Sequence, residues 1–464
     1  MKRLVVIGSG PGGYVAAIRA AQLGCHVTLI EKENLGGVCL NWGCIPTKSL
    51  LTAAETYALM GRLDTFGIKA KNISFDLGVM VDQSRSTAQK LSQGVSYLLQ
   101  KNKVTVLKGF GQLMASSKGC HQVRVKGVDT KKPESVLEAD AVIIATGARP
   151  FLLDGVDVDG KRVWTSKEAM LQRTPPKSLL VVGSGAIGLE FASFYSHLGS
   201  HVSVVELQDR LLPAADPFIS SELLNAFKRR NIASYFNHRV VSSKVGSRSV
   251  ALTLDNGKVL EAEALLLAVG IKPNVEDIGL EDARVECVKG FVKVDSVCQT
   301  SVPGIYAIGD VTEGPWLAHK ASHEGMIAAE HIVGKTVSGL LRDHIPACVY
   351  STPQIASIGL TEPEAKAKGY TLKVGVFPFE ANGKALAMHA GKGAVKTLFD
   401  AKTGALLGAH MIGAGVTELI SNFALAKVCE ATEAELIHTI FPHPTLSEMV
   451  HESVLQAFDR GIHF

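Results

Sequence analysis

The chain has 464 residues, 46% of them hydrophobic and 20% charged, with 45 Gly, 17 Pro and a formal net charge of +4. At roughly 150 residues per domain this suits about three domains, and it excludes collagen-like and disordered classes. The 48 basic and 44 acidic residues form no basic block, which argues against nucleic acid as a partner.

Met1 to Arg3 run directly into Leu-Val-Val-Ile-Gly with no apolar leader, so the expected compartment is the cytoplasm. The longest apolar runs, Leu4 to Ile7 and Ala264 to Val269, are far shorter than the roughly 20 residues of a membrane-spanning helix and suit buried strands. From Arg3 to Glu31 a β-branched run leads into Gly8, Gly10 and Gly13, a helical stretch, a second strand and an acid. The segment from Ser178 to Glu206 repeats this without a gap, with Gly183, Gly185 and Gly188, and in each copy the acid lies 23 positions after the first glycine. Found twice, strand, glycines, helix, strand and acid predict two dinucleotide-binding βαβ units. The first glycine allows the tight turn, the second lets a pyrophosphate approach the helix N-terminus, and the third lets helix and strand pack closely. Glu31 and Glu206 are the expected acceptors for ribose hydroxyls.

Between these copies lies GGVCLNWGCIPTK, Gly36 to Lys48. Cys39 and Cys44 are five apart, which on a regular helix separates Cα atoms by roughly 8 to 9 Å, beyond the about 7 Å a disulfide tolerates. If the two are bonded, the helix must break between them, and Pro46 suits a helix starting at or just after Cys44. A thiol there is the environment of a redox cysteine; two structural thiols or half of a metal site are the alternatives, the latter without a second close Cys/His pair. Eight cysteines in all are too few for a disulfide framework.

Val142 to Pro150 and Leu265 to Asn274 look like buried strands ending at Gly147 and Gly270, 139 and 87 positions after the first glycine of each unit, so the first unit holds 52 more residues. Further on, Ser301 to Val311 reads as a strand ending at Gly309-Asp310; Asp310 is either a ligand for a cofactor's hydroxyl chain or a solvated turn residue. From about His344 an α+β pattern follows, with strands VKTLF and LLGAHMIG and a helix from Thr417 to Cys429. Near the end, His443 and Glu448 are five apart across a Pro-containing turn. They are either a carboxylate-held base or an exposed His beside a helix-capping Ser-Glu.

The order and wording of these motifs, with LAHKA and TPQIASIGLTE between them, resemble along the whole chain the FAD-dependent pyridine nucleotide-disulfide oxidoreductases, and within them the branch that oxidises dihydrolipoamide. The resemblance implies an α/β fold with two Rossmann-like dinucleotide-binding domains and a C-terminal α+β dimerisation domain. It divides the chain into 1–150 for FAD and the redox disulfide, 151–272 for NAD, 273–343 completing the FAD site and 344–464 as the interface. FAD would use the first fingerprint, with Gly147, Asp310 and Ala318 of LAHKA, and NAD the second, with Gly270. Cys39 would meet substrate, Cys44 would face the flavin, and Lys48 and Glu190 would form the ion pair beside the ring. His443, held by Glu448, would be a base supplied by the other subunit of a homodimer. Lipoyl groups would come from the lipoyl-bearing subunit of a 2-oxoacid dehydrogenase or glycine cleavage complex. Val38, Trp42 and Gln354 depart from common family residues. Glutathione reductase is the runner-up, disfavoured because Glu206 would repel the 2′-phosphate of NADP. A flavin-binding docking subunit with an idle redox site is the non-enzyme alternative, opposed by retention of both cysteines and the His-Glu pair.

Overall fold

The computed structural model of the chain describes residues 1–115, 119–127 and 134–464. It divides into two compact units, one comprising Met1–Leu50, Gly78–Phe151 and Ile271–Leu340, the other Leu51–Leu77, Leu152–Gly270 and Leu341–Phe464.

The first unit is built on a seven-stranded sheet. Strand Arg3–Ile7 sits centrally, paired in parallel with His26–Glu31 on one side and Ala141–Ile144 on the other, and Ile305–Ala307 pairs beyond the latter. Alternation decides which way each side chain points. Leu4 and Val6 join the core that includes Leu29, Ile143 and the helix residues Ala16 and Ala17, while Val5 and Ile7 join Ile30, Val142 and Ile144 on the opposite face. With both faces covered, the strand is apolar at every position after Arg3, as expected for a buried parallel sheet.

Helix Pro11–Gln22 follows the first strand with Pro at its start, where the missing N–H costs nothing. It packs on helix Ala318–Ile332 at backbone distance. A Cβ on Gly12 would lie 2.9 Å from Ala321 O, and one on Gly325 would lie 2.6 Å from Gly12 O. The cysteine segment becomes helix Gly37–Trp42 and helix Cys44–Met60, followed by helix Leu77–Lys101. These fill much of the extra length of the first repeat.

In the second unit the repeat is legible strand by strand. Ser178–Val182 pairs in parallel with His201–Val205 and Ala264–Leu267, matching the arrangement around Arg3–Ile7. Even the connecting bonds correspond: Gly8 N–H donates to Ile30 O and Gly183 N–H to Val205 O, each at 2.8 Å. The C-terminal part is a five-stranded antiparallel sheet whose strands Ala394–Asp400 and Leu406–Gly413 are the expected hairpin. Helices Val416–Val428 and Glu448–Ala457 share one core with it. Within the same unit Lys396 reaches Asp216 at 2.8 Å and Glu362 at 2.7 Å. Asp216, fully buried, also caps helix Pro217–Arg229 by accepting from Phe218 N–H.

Candidate active site

Each glycine fingerprint separates into positions demanded by the chain and one left open. A Cβ on Gly8 would lie 2.2 Å from Ala145 O and one on Gly13 2.0 Å from Gly8 O. In the second copy, Gly183 would meet Ala268 O at 2.4 Å and Gly188 would meet Gly183 O at 2.0 Å. The middle glycines, Gly10 and Gly185, find nothing within 4 Å, and the same holds for Gly147 and Gly270. The opening at each middle glycine lies at a helix N-terminus, where N–H groups are free to meet phosphate oxygens. The residues present therefore fit two dinucleotides.

The two acids behave alike. Glu31 accepts from Ser9 N–H at 2.9 Å, from Ser9 Oγ at 2.5 Å and from Glu33 N–H at 2.7 Å. Glu206 accepts from Ser184 N–H at 2.8 Å, from Ser184 Oγ at 2.7 Å and from Gln208 N–H at 2.9 Å. Sequence spacing pointed to ribose acceptors; the geometry adds that each acid also ties down its own glycine loop. A carboxylate has about four lone-pair sites, so one remains for a sugar hydroxyl.

Strand Ile305–Ala307 is shorter than expected, since the turn at Val302–Gly304 precedes it, and it leads into a single 3-10 turn, Gly309–Val311. Asp310 on that turn is half-buried. Burial pushes its carboxyl up from the ordinary range, Lys320 pulls it down, and Glu324 adds to the rise. Lys320 and Glu324 form a buried ion pair at 2.8 Å, and Glu324 accepts from Gly309 N–H at 2.8 Å, so this pair braces the turn. Ala318 is the first residue of the same helix. Sequence reasoning missed Lys320 and Glu324 because an i,i+4 Lys/Glu pair ordinarily lies on a solvated helix face.

The cysteine segment rests on the first glycine loop. Gly36 N–H donates to Ser9 O at 3.0 Å, and a Cβ on Gly37 would lie 2.7 Å from Gly10 Cα. Helix Gly37–Trp42 ends at Gly43, whose φ of −148° and ψ of −114° break the path before the next helix starts at Cys44. Pro46 falls in that first turn. All eight cysteines are thiols, and those of Cys39 and Cys44 hydrogen-bond each other. That bond, with burial and the neighbouring sulfur's charge, pushes the Cys39 thiol far up, while Lys48 pulls it down. Among the described residues no cluster of His, Cys, Asp and Glu could hold a metal ion.

In the second unit His443 Nδ1 lies 2.8 Å from Glu448 Oε1, and Glu448 Oε2 accepts from Thr445 N–H at 2.8 Å. Burial raises the Glu448 carboxyl, but these two bonds outweigh it and the net shift is downward. Ser447 makes no side-chain cap, and the imidazole is mostly exposed. Helix Ala186–His197 presents a polar stripe in which Glu190 was expected from the family resemblance and Ser193 and His197 were missed from sequence. Glu190 accepts from Tyr350 N–H at 3.0 Å, Ser193 Oγ from Thr352 N–H at 3.0 Å, and His197 Nε2 lies 3.0 Å from Thr352 Oγ1. The spacing of these three residues hints at one helix face, but their partners lie some 150 residues away in sequence and leave no local signal.

Residues 2–325 match the family described as pyridine nucleotide-disulphide oxidoreductase, and residues 345–454 match its dimerisation domain. The chain belongs to this family. Among its curated relatives, a dihydrolipoyl dehydrogenase of Zymomonas mobilis is 49% identical over 466 residues, 99% of each chain. One from Bacillus subtilis is 42% identical over 468 residues, again 99% of each. Among solved structures, LpdA from Mycobacterium tuberculosis superposes with a TM-score of 0.93 at 30% identity, covering 98% of this chain and 99% of that one. Among the described residues no helix is long and apolar enough to cross a membrane.

Proposed function

We propose that this family member oxidises protein-bound dihydrolipoamide to lipoamide, passing two electrons through a Cys39–Cys44 disulfide and FAD to NAD+. The observation that carries the reading is the pair of thiols in hydrogen-bond contact across a helix break, seated on the first glycine loop. FAD, when bound, supplies the two-electron carrier between dithiol and nicotinamide. Gly8, Gly10, Gly13, Glu31, Gly147, Asp310 and Ala318 would hold it, and Gly183, Gly185, Gly188, Glu206 and Gly270 would hold NAD.

The protein's own residues do the proton and sulfur chemistry. With the disulfide intact, His443 takes the proton of one substrate thiol, whose thiolate attacks Cys39 Sγ, and Cys44 leaves as a thiolate. The second substrate thiol then displaces Cys39, which leaves with that thiol's proton, and lipoamide closes. The bond from His443 Nδ1 to Glu448 fixes the tautomer and leaves Nε2 to take the first proton, and the carboxylate stabilises the imidazolium. Residues 345–454, the dimerisation domain, contain both residues of this dyad.

In this reading the lipoyl group is presented by the lipoyl-bearing subunit of a 2-oxoacid dehydrogenase or glycine cleavage complex, and the chain works in the cytoplasm, where thiols stay reduced. Steady-state rates with dihydrolipoamide, glutathione disulfide and thioredoxin, each with NAD(H) and NADP(H), test it. The highest kcat/KM should belong to dihydrolipoamide with NAD+; a preference for glutathione disulfide with NADPH would replace the reading with its runner-up.

A further inference from the structure

The six-residue helix Gly37–Trp42, which carries Cys39, is too short to hold its own shape, since helices of this length are unstable without tertiary support. Its support comes from helix Leu77–Lys101. Ser92 Oγ donates to Leu35 O at 2.9 Å, just before the short helix begins. Arg85 Nη1 donates to Asn41 O at its end, and the Arg85 guanidinium lies 4.2 Å from the centroid of the Trp42 ring. Asn41 ties the two ends together. Its buried amide donates to Leu35 O at 3.0 Å and to Gly37 O at 2.9 Å. Trp42, one of the departures from common family residues, is therefore the stacking partner of Arg85.

We infer that Arg85, acting through Asn41 O and the Trp42 ring, is a positioning residue that holds Cys39 in register with Cys44 and so sets the stability of their disulfide. The inference rests on the reading of these two thiols as the redox pair. Gly43 alone separates the ends of the two helices, so the sulfur-to-sulfur distance depends on how rigidly the first helix is held against the second. Removing the clamp leaves Asn41 O without its donor and the ring without its cation. Fraying at Asn41 and Trp42 then lowers the effective concentration of one thiol toward the other, and with it the equilibrium constant for closing the disulfide. Lysine at position 85 would keep the charge but not the planar fork that both bonds and stacks.

The test equilibrates the FAD-loaded protein in dithiothreitol redox buffers, alkylates free thiols, and counts modified Cys39 and Cys44 by mass spectrometry. Arg85→Ala should shift the dithiol–disulfide equilibrium about tenfold toward the dithiol, which for this two-electron couple is about 30 mV toward a more oxidising potential. Arg85→Lys and Trp42→Leu should shift it the same way by less. A uniform loss of stability would not produce this graded order, and flavin content and Tm on the same samples identify a variant that has failed to fold. Should Arg85→Ala fail to fold, Trp42→Leu and Arg85→Lys decide: wild-type equilibria in both overturn the inference. A wild-type protein whose Cys39 and Cys44 never close a disulfide in these buffers overturns instead the redox reading beneath it.

Discussion

Glu206 has two tasks, and they separate on mutation. As the proposed ribose acceptor it would set a buried carboxylate against a 2′-phosphate; as the acceptor for Ser184 and Gln208 it fixes the glycine loop. Wild-type protein should therefore favour NAD over NADP at least tenfold in kcat/KM, about 1.4 kcal/mol. Glu206→Ala should bring the ratio toward parity while also lowering kcat/KM for NAD, because Ser184 N–H loses its acceptor. Initial rates with both nucleotides check this; discrimination left intact in the variant would place the source of selectivity elsewhere. Glu31 makes the matching contacts to its own glycine loop in the first copy.

At the scale of elements, the duplicated βαβ unit gives a sharper contrast. A Cβ on Gly188 would overlap Gly183 O, whereas one on Gly185 would meet no protein atom. Gly188→Ala should destabilise the second unit by about 1 to 3 kcal/mol or more, as overpacking does. Gly185→Ala should leave the denaturation midpoint unchanged and weaken NAD binding, measured by fluorescence titration; unaltered affinity would mean that no pyrophosphate approaches there. These elements were legible in the sequence because each role falls on a fixed spacing within one continuous stretch. The helix break between Cys39 and Cys44 was expected only if the two are bonded, and spacing left His443 and Glu448 open between a held base and a capped helix, the base being what the family resemblance implied. What stayed hidden depends on distant partners: the Lys320–Glu324 brace on Gly309, the Thr352 contacts of Ser193 and His197, and the Arg85 stack on Trp42. Asp310 shows the limit well, since spacing left ligand and solvated turn open, and its half-buried place beside the Lys320–Glu324 pair leaves no local signal.

Buried charge also joins separate elements of the second unit, and it gives the molecule an acid limit. Burial raises the Asp216 carboxyl, but the Glu362 N–H bond and Lys396 more than offset this, leaving it below its ordinary range. An acid depressed in the folded state adds stability that is complete above the unfolded value of about 3.9 and is lost as pH falls through the folded one. Asp216→Asn should cost about 3 to 5 kcal/mol at neutral pH by leaving Lys396 poorly paired, and should flatten the loss of stability below about pH 4. Urea denaturation at several pH values reads both effects. An unchanged acid slope would assign it to other carboxylates.

The whole molecule is a dimer question. Residues 345–454 are the family's dimerisation domain and carry the mostly exposed His443, whereas Cys39 and Cys44 belong to the first unit. If His443 serves the partner's disulfide, each site needs two chains. Cys44→Ser removes one half of a site and His443→Gln the other, the latter costing about 10² to 10⁴ in turnover, as loss of a general base does. In a mixed dimer of the two variants, one site receives both defects and the other receives neither. At statistical exchange half the dimers are mixed, so activity should return to about a quarter of wild type, although each parent is nearly inactive. Mixing the variants under conditions that exchange subunits, with hybrid formation verified by differential tagging, measures this directly. Proven hybrids without recovered activity would mean that His443 works within its own chain or is not the base, since only a site shared between subunits lets two broken chains rebuild an intact one.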